Sequence, residues 1–190
     1  MSPILGIYAS QISGHLGIPI ISSSDYYSIA TQTVGSGGAS SITFSSIPST
    51  YTHLQLRMMV RETSTSNGYS MQFNGDTGNN YARHYLYGTG SSAAAAAAVT
   101  STSSMILADA AISTSTTGVF GASVCDVLDY TNVNKNKVIK TLGGYDNNGN
   151  GAIFFNSGLW MNTSSVTSIV INPDAGSFAQ YSSFALYGIK

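Results

Sequence analysis

The feature that most constrains the fold of this chain is an alternation of apolar and polar residues with a period of two. Between His53 and Val60 every second residue is large and apolar, and Gln55 and Arg57 stand at intervening positions. Tyr69–Phe73 repeats the alternation. Successive side chains of a β-strand point to opposite faces, so this pattern predicts strands with one face in a core.

Short segments of this kind alternate with turn-forming clusters from residue 26 onward. The turn clusters are rich in Gly, Asn and Asp, which tolerate positive φ, and Asn67-Gly68 has the composition of a hairpin turn. The pattern predicts an all-β, mostly antiparallel β-sandwich over residues 25–190. The predicted strands are Tyr27–Val34, Ser41–Ser45, His53–Val60, Tyr69–Phe73, Tyr81–Tyr87, Ser104–Leu107, Val119–Tyr130, Lys137–Gly144, Ala152–Trp160, Val166–Ile171 and Tyr181–Ile189.

A run of six alanines, Ala93–Ala98, is the one helix-like stretch. A helix this short is not stable in water without partners. The segment Gly88–Ser103 is therefore predicted to be a low-complexity loop.

The first 24 residues differ from the rest of the chain because they combine many large apolar side chains with Gly and Pro and contain no Asp, Glu, Lys or Arg. Termini are often disordered, but disordered segments are usually more polar than this one. We therefore predict that residues 1–24 form an extended arm that docks onto a larger assembly. The predicted docking residues are Ile4, Leu5, Ile7, Tyr8, Ile12 and Leu16.

Charge is scarce, since only 8% of the residues are charged and the formal net charge is -1. So little charge gives poor protection against association, which predicts contact with copies of the same chain or with other proteins. The separated lysines Lys135, Lys137 and Lys140 form no basic footprint, so nucleic acid is not an expected partner. No apolar run is long enough to span a membrane. The single Cys125 is expected to be buried, with no disulfide.

Residue types that perform catalysis or bind metals do not occur at the spacings that such sites require. Asp126 and Asp129 lie three apart in a predicted strand and so on opposite faces, which is unsuitable for paired-carboxylate chemistry. The three histidines lack metal-ligand spacing, and Asp146–Gly151 is a tight turn without the Glu of a calcium loop. We therefore expect no enzyme activity, no metal and no cofactor.

Aromatic residues offer one alternative role. Tyr81, Tyr85 and Tyr87 lie close together with Arg83, and such side chains form rigid amphipathic contact surfaces. They are candidates for a contact with a glycan or with a neighbouring subunit, and core packing is the simpler interpretation. Trp160 is expected to be in the core.

Several sequence blocks together resemble a family of known proteins and span nearly the whole chain. They are Ser2–Ile7, Ser28–Thr31, Val34–Gly38, Ile42–Pro48, Tyr51–Gln55, Phe73–Asp76, Gly144–Gly149, Ser157–Met161 and Phe184–Ile189. The chain resembles small virion structural proteins of cyanophages and other aquatic bacteriophages. No catalytic residue is carried over by this resemblance.

The resemblance implies a bacteriophage virion component, assembled in the host cytoplasm, with a jelly-roll fold and a homotrimeric state. Its expected partners are copies of itself and other tail or capsid proteins. A tail-associated, fibre-like attachment protein is slightly favoured over a capsid decoration protein. A lectin-like module that binds a host surface glycan is a second alternative.

Overall fold

In the computed structural model of this chain, the described residues are 25–190, except for the side chains of 94–99. This range contains twelve strands and no helix. The strands are β1 (Tyr26–Thr33), β2 (Ile42–Phe44), β3 (His53–Val60), β4 (Gly68–Phe73), β5 (Tyr81–Gly88), β6 (Ala93–Thr102), β7 (Met105–Asp109), β8 (Gly121–Leu128), β9 (Lys137–Asp146), β10 (Gly151–Trp160), β11 (Ile169–Pro173) and β12 (Ser183–Ile189).

The strands form two antiparallel sheets that pack as a β-sandwich. The large sheet has the order β1-β12-β3-β8-β9-β10-β5-β6, and the small sheet has the order β2-β11-β4-β7. Eight of the strands make two matching four-stranded arrays, β1-β12-β3-β8 and β2-β11-β4-β7. This is the strand order of a jelly roll, which confirms the predicted fold class.

Two inserted hairpins widen the large sheet. The hairpin β5–β6 follows β4, the hairpin β9–β10 follows β8, and all four strands add beyond β8. The small sheet has no matching extension, so its edge strand β7 lies against β8, β9, β10 and β5. The large sheet is therefore twice as wide as the sheet that covers its inner face.

The core fills the space between the sheets with the alternate residues that face inward. β8 shows this periodicity clearly, since Cys125 and Val127 are fully buried and Val124 and Leu128 are exposed. Trp160 is buried and its ring lies 5.4 Å from that of Phe73. The expectations for Trp160 and Cys125 are confirmed.

A buried lysine joins two loops at one end of the sandwich. The Lys137 ammonium donates to the carbonyl oxygens of Asn132, Lys135 and Thr163 at 2.7, 2.8 and 2.9 Å. Its side chain is fully buried, and burial lowers the pKa of its amine. All three donors of the ammonium are satisfied, so Lys137 stabilises the loops that it joins. Lys140, three positions further along β9, is exposed.

Asn74 connects two loops next to this end. It adopts a φ of 53° in the turn after β4. Its Oδ1 accepts from the amides of Thr167 and Ser168 at 2.8 and 3.1 Å, and its Nδ2 donates to the Ser165 carbonyl oxygen at 2.8 Å. Asn tolerates the left-handed conformation better than most residues, which explains its place in this predicted turn.

Eleven of the strands were predicted from sequence, and β3 has the predicted bounds. The twelfth, β6, corrects the prediction that Gly88–Ser103 is a loop. β6 pairs with β5 through Leu86↔Ala95 and Tyr87↔Ala94, so the first four alanines of the tract gain backbone partners in a neighbouring strand, and the register shifts after them. A neighbouring strand supplies hydrogen bonds that outweigh the helix preference of alanine.

The hairpin predicted at Asn67-Gly68 is wrong. β3 belongs to the large sheet and β4 to the small sheet, so the segment between them crosses from one sheet to the other. Gly68 is the first residue of β4 and pairs with Asp109 of β7. Both flanking strands alternate in polarity, but the sequence does not reveal that they pair with different neighbours.

Candidate functional site

The residues predicted to dock, namely Ile4, Leu5, Ile7, Tyr8, Ile12 and Leu16, lie outside the described residues. The first described strand does show where the chain enters the domain. Tyr26 begins β1 at the edge of the large sheet and pairs with Ile189 of β12.

The aromatic residues predicted on β5 share the inner face of the large sheet but divide into two groups. Tyr81 is fully buried, and its ring lies 6.3 Å from that of Trp160. Its hydroxyl accepts from the Phe73 amide at 3.1 Å and donates to the Asp76 carbonyl oxygen at 2.9 Å. Tyr81 is therefore a core residue, and a direct contact with a glycan is excluded by its burial.

Arg83, Tyr85 and Tyr87 are half-buried beyond the edge strand β7. The Tyr85 ring stacks on Phe154 at 4.9 Å, and the Arg83 guanidinium lies 5.2 Å from the centre of the Tyr85 ring. Arg83 Nε is buried without a hydrogen-bond partner, and burial lowers the pKa of this guanidinium. Stacked aromatic rings and a hydrogen-bond donor without a partner therefore lie next to each other at the inner face of β5.

A buried carboxyl group is the most perturbed acid near this region. Glu62 is fully buried after β3, and both its carboxyl oxygens lack a hydrogen-bond partner. Burial raises the pKa of Glu62 to about 8, with further contributions from Asp174 and Asp109. The Ser64 hydroxyl favours the ionised form, but its proton is directed at the Ser66 carbonyl oxygen at 3.1 Å.

Asp109 and Asp174 complete this acidic group. Burial, followed by the charge of Asp174, raises the pKa of Asp109 to about 6, whereas Arg83 lowers it. Burial also raises the pKa of Asp174. No set of three His, Cys, Asp or Glu side chains in the described part of the chain has a geometry that could hold a metal ion. Burial favours the protonated form of Glu62 at neutral pH, since its pKa is about 8.

A concave surface lies on the other face of the large sheet, which the small sheet does not cover. It is a trough of about 1000 Å³ formed mainly by β3, β8, β9 and β10. Its apolar lining side chains include Met59, Val124, Leu142 and Ile153, and the charged residues that line it are Arg57 and Asp146. We call this surface the outer trough.

The strand registers explain why apolar side chains are adjacent here. One row across the sheet runs Arg57↔Val124, Val124↔Leu142 and Leu142↔Phe155. The next row contains Met59↔Ala122 and then Gly144↔Ile153. Directly opposed residues on one face are the closest side-chain neighbours in a sheet, so these residues form a continuous surface.

The outer trough remains open to solvent in the described part of the chain. The exposed fractions are 53% for Met59, 55% for Leu142 and 62% for Ile153. A Cβ on Gly144 would overlap the Ala152 carbonyl oxygen, so a side chain does not fit at this position and backbone atoms form the floor of the trough there. Large exposed apolar patches of this kind mark interaction sites.

Polar features border the trough on two sides. A row with Gln55, Asp126 and Lys140 lies on one side, where Gln55 Nε2 donates to Asp126 Oδ1 at 2.8 Å. The turns of the two inserted hairpins, Asp146–Gly151 and Gly88–Gly90, lie on the other side. An apolar floor within a polar border is typical of a protein interface.

The N-terminal segment enters the domain on the face that carries the trough. The Arg57 guanidinium lies 5.0 Å from the ring centre of Tyr26 and 4.8 Å from that of Tyr187. Arg57 also lines the trough. The first side chain of β1 therefore contacts a residue that lines the outer trough.

Sequence reasoning missed the outer trough because it depends on which strands are neighbours. One signal was available, since Met58-Met59 and Phe154-Phe155 place large apolar residues at adjacent positions. Adjacent residues of a strand point to opposite faces, so both faces must be apolar at these points.

No protein-family model matches this chain, and no curated protein matches it either. Over residues 25–190, no helix has the length and apolarity required to cross a membrane.

Proposed function

We propose that this chain is a non-enzymatic structural protein of a bacteriophage particle, a homo-oligomeric surface module held in the particle by its N-terminal arm. The observation that carries the proposal is the outer trough, a broad apolar surface on a sheet twice as wide as its partner. Such a surface is stabilised when another protein covers it. The resemblance of the sequence to small phage virion proteins supports the same assignment.

Electron microscopy tests whether the protein is part of the phage particle and where in the particle it lies. Purified particles of the phage that encodes the chain are labelled with antibody against residues 25–190 and viewed by electron microscopy. Label at the tail is the expected result, and label over the head instead identifies the capsid decoration alternative. Particles without label refute the proposal.

The arm is tested by deletion of residues 1–24 from the chain. The strand pairings described above involve residues from Tyr26 onward, so the truncated chain should keep its strand content by circular dichroism. Its copy number per particle should fall sharply, because several large apolar side chains leave the contact. Wild-type copy number in particles assembled with the truncated protein would show that attachment runs through the sandwich.

A second candidate function is binding of a host glycan, favoured by the half-buried Arg83, Tyr85 and Tyr87. Sugars bind to aromatic faces, and the half-buried rings of Tyr85 and Tyr87 lie close together, with their centres 6.0 Å apart. Titration with host lipopolysaccharide tests this role. Tyr87→Ala should weaken saturable binding, and Tyr27→Ala, a change on β1 at the opposite edge of the large sheet, should leave it unchanged.

A further inference from the structure

Residues 25–190 leave the outer trough uncovered, and one further segment of the chain has the chemistry to fill it. Residues 1–24 contain no Asp, Glu, Lys or Arg, and their apolar residues include Ile4, Ile7 and Leu16. We propose that the outer trough is the binding site for the N-terminal segment Ile4–Leu16 of a neighbouring copy of this chain. The choice of a neighbouring copy rests on the proposed homo-oligomeric function.

Chemical complementarity is the first argument. The trough has an apolar floor, and the Arg57 guanidinium that lines it is already in contact with the Tyr26 and Tyr187 rings and donates to Gln55. An uncharged segment can cover this floor without burying an unpaired charge, which would be costly. A volume of about 1000 Å³ is at the upper end of the range of pockets that hold ligands, and it can accept several large side chains.

Placement is the second argument. Tyr26 lies on the same face as the trough and contacts Arg57, which lines it. Residues 17–25, which would link the bound segment to Tyr26, can span at most roughly 30 Å when extended. Eight strands are roughly 34 Å wide and the trough lies near the middle of this width, so the linker can reach the trough of a copy placed beside β1.

Shape is the third argument. Two copies could cover each other's apolar face directly, but two concave surfaces placed face to face leave a gap between them. An apolar contact is favourable when its atoms are closely packed. A segment inserted into the trough can fill it, whereas the concave face of a second copy cannot.

Disulfide trapping between full-length chains tests the proposal. One chain carries Ile7→Cys, and a second, differently tagged chain carries Leu142→Cys in the trough. The native Cys125 is fully buried and does not compete. Leu128→Cys is the matched control, since Leu128 is exposed on the same face of the large sheet but does not line the trough.

Mild oxidation of the mixed chains should give a disulfide-linked heterodimer with Leu142→Cys. The yield with Leu128→Cys should be at least tenfold lower. Equal yields would overturn the proposal. A chain carrying both Ile7→Cys and Leu142→Cys that links only within itself would also overturn it, because the segment would then occupy its own trough.

Light scattering provides an independent measurement that does not involve cysteines. Leu142→Arg places a charge on the trough floor and should shift the full-length chain toward the monomer mass of 19.8 kDa. Leu128→Arg should keep the oligomer mass. An unchanged mass for Leu142→Arg contradicts the proposal. Both experiments use purified protein, so particles that lack the protein would refute the proposed function while trapped heterodimers would still establish the contact.

Discussion

Replacing Glu62 with Gln should change how stability depends on pH. Glu62 has a pKa of 4.5 in its reference state and about 8 in the folded protein, chiefly because it is buried, and Asp174 and Asp109 add to the effect. The folded protein therefore holds a proton that the unfolded chain releases above pH 4.5. Since the folded pKa is the higher one, the stability supported by this proton is present below pH 4.5 and is lost as pH rises toward 8.

The magnitude follows from the pKa difference of Glu62, 4.5 against about 8. At 1.36 kcal/mol per pKa unit, the wild-type protein loses on the order of 4 to 5 kcal/mol between pH 4.5 and 8 from this residue. Gln cannot titrate and has nearly the same shape. The stability of Glu62→Gln relative to wild type should therefore increase steadily over this range and stay constant above it.

Urea unfolding at unit intervals from pH 5 to pH 9 measures this difference. Asp109 also titrates in this range, with a pKa of about 6, but it is present in both proteins and largely cancels. Asp129→Asn is the control, because a hydrogen bond from Lys135 lowers the pKa of Asp129, so this carboxyl group stays ionised in both states from pH 5 to pH 9 and its replacement should give a difference that does not vary with pH. A difference between Glu62→Gln and wild type that varies by less than about 1 kcal/mol across the series would refute the reasoning.

Three further substitutions test the packing. Lys137→Met should destabilise the protein by about 3 kcal/mol in urea unfolding because three carbonyl oxygens lose the ammonium that donates to them, and Lys140→Met should be nearly neutral. Tyr81→Phe should cost about 1 to 2 kcal/mol in the same assay, since the Phe73 amide loses its acceptor; a neutral result would show that water replaces the hydroxyl. Asn74→Ala should lower the midpoint of thermal unfolding by several degrees, equivalent to about 2 kcal/mol, and no change would mean that its three bonds do not hold the loops.

The all-β class and most strands could be predicted from sequence because each strand carries its own period-two signal. His53–Val60 is recognisable without knowledge of its neighbours. Strand β6 is not, because six alanines contain no alternation and only the pairing with β5 makes them a strand. The hairpin prediction at Asn67-Gly68 failed for a related reason, since local turn chemistry does not specify which sheet a strand joins.

The site was less accessible to sequence reasoning than the fold. Val124 and Leu142 are ordinary strand residues in the sequence, and they become a surface only because β8 and β9 pair in one register. Tyr81 and Tyr85 lie on the same face of β5, yet Tyr81 is fully buried and Tyr85 is only half-buried. Burial at a given position depends on the opposite sheet, which no local pattern describes.

The strand order also determines when this protein can fold during its synthesis. β12 lies between β1 and β3, and β11 lies between β2 and β4, so the first two strands have only the last two as sheet neighbours within the twelve strands. A nascent chain that ends before Ile169 has no partner for β1 or β2. Contacts that close such long loops form slowly. Translation must therefore proceed through Ile169–Ile189 before either sheet is complete, and until then the emerging chain presents unpaired apolar strands that chaperones can bind.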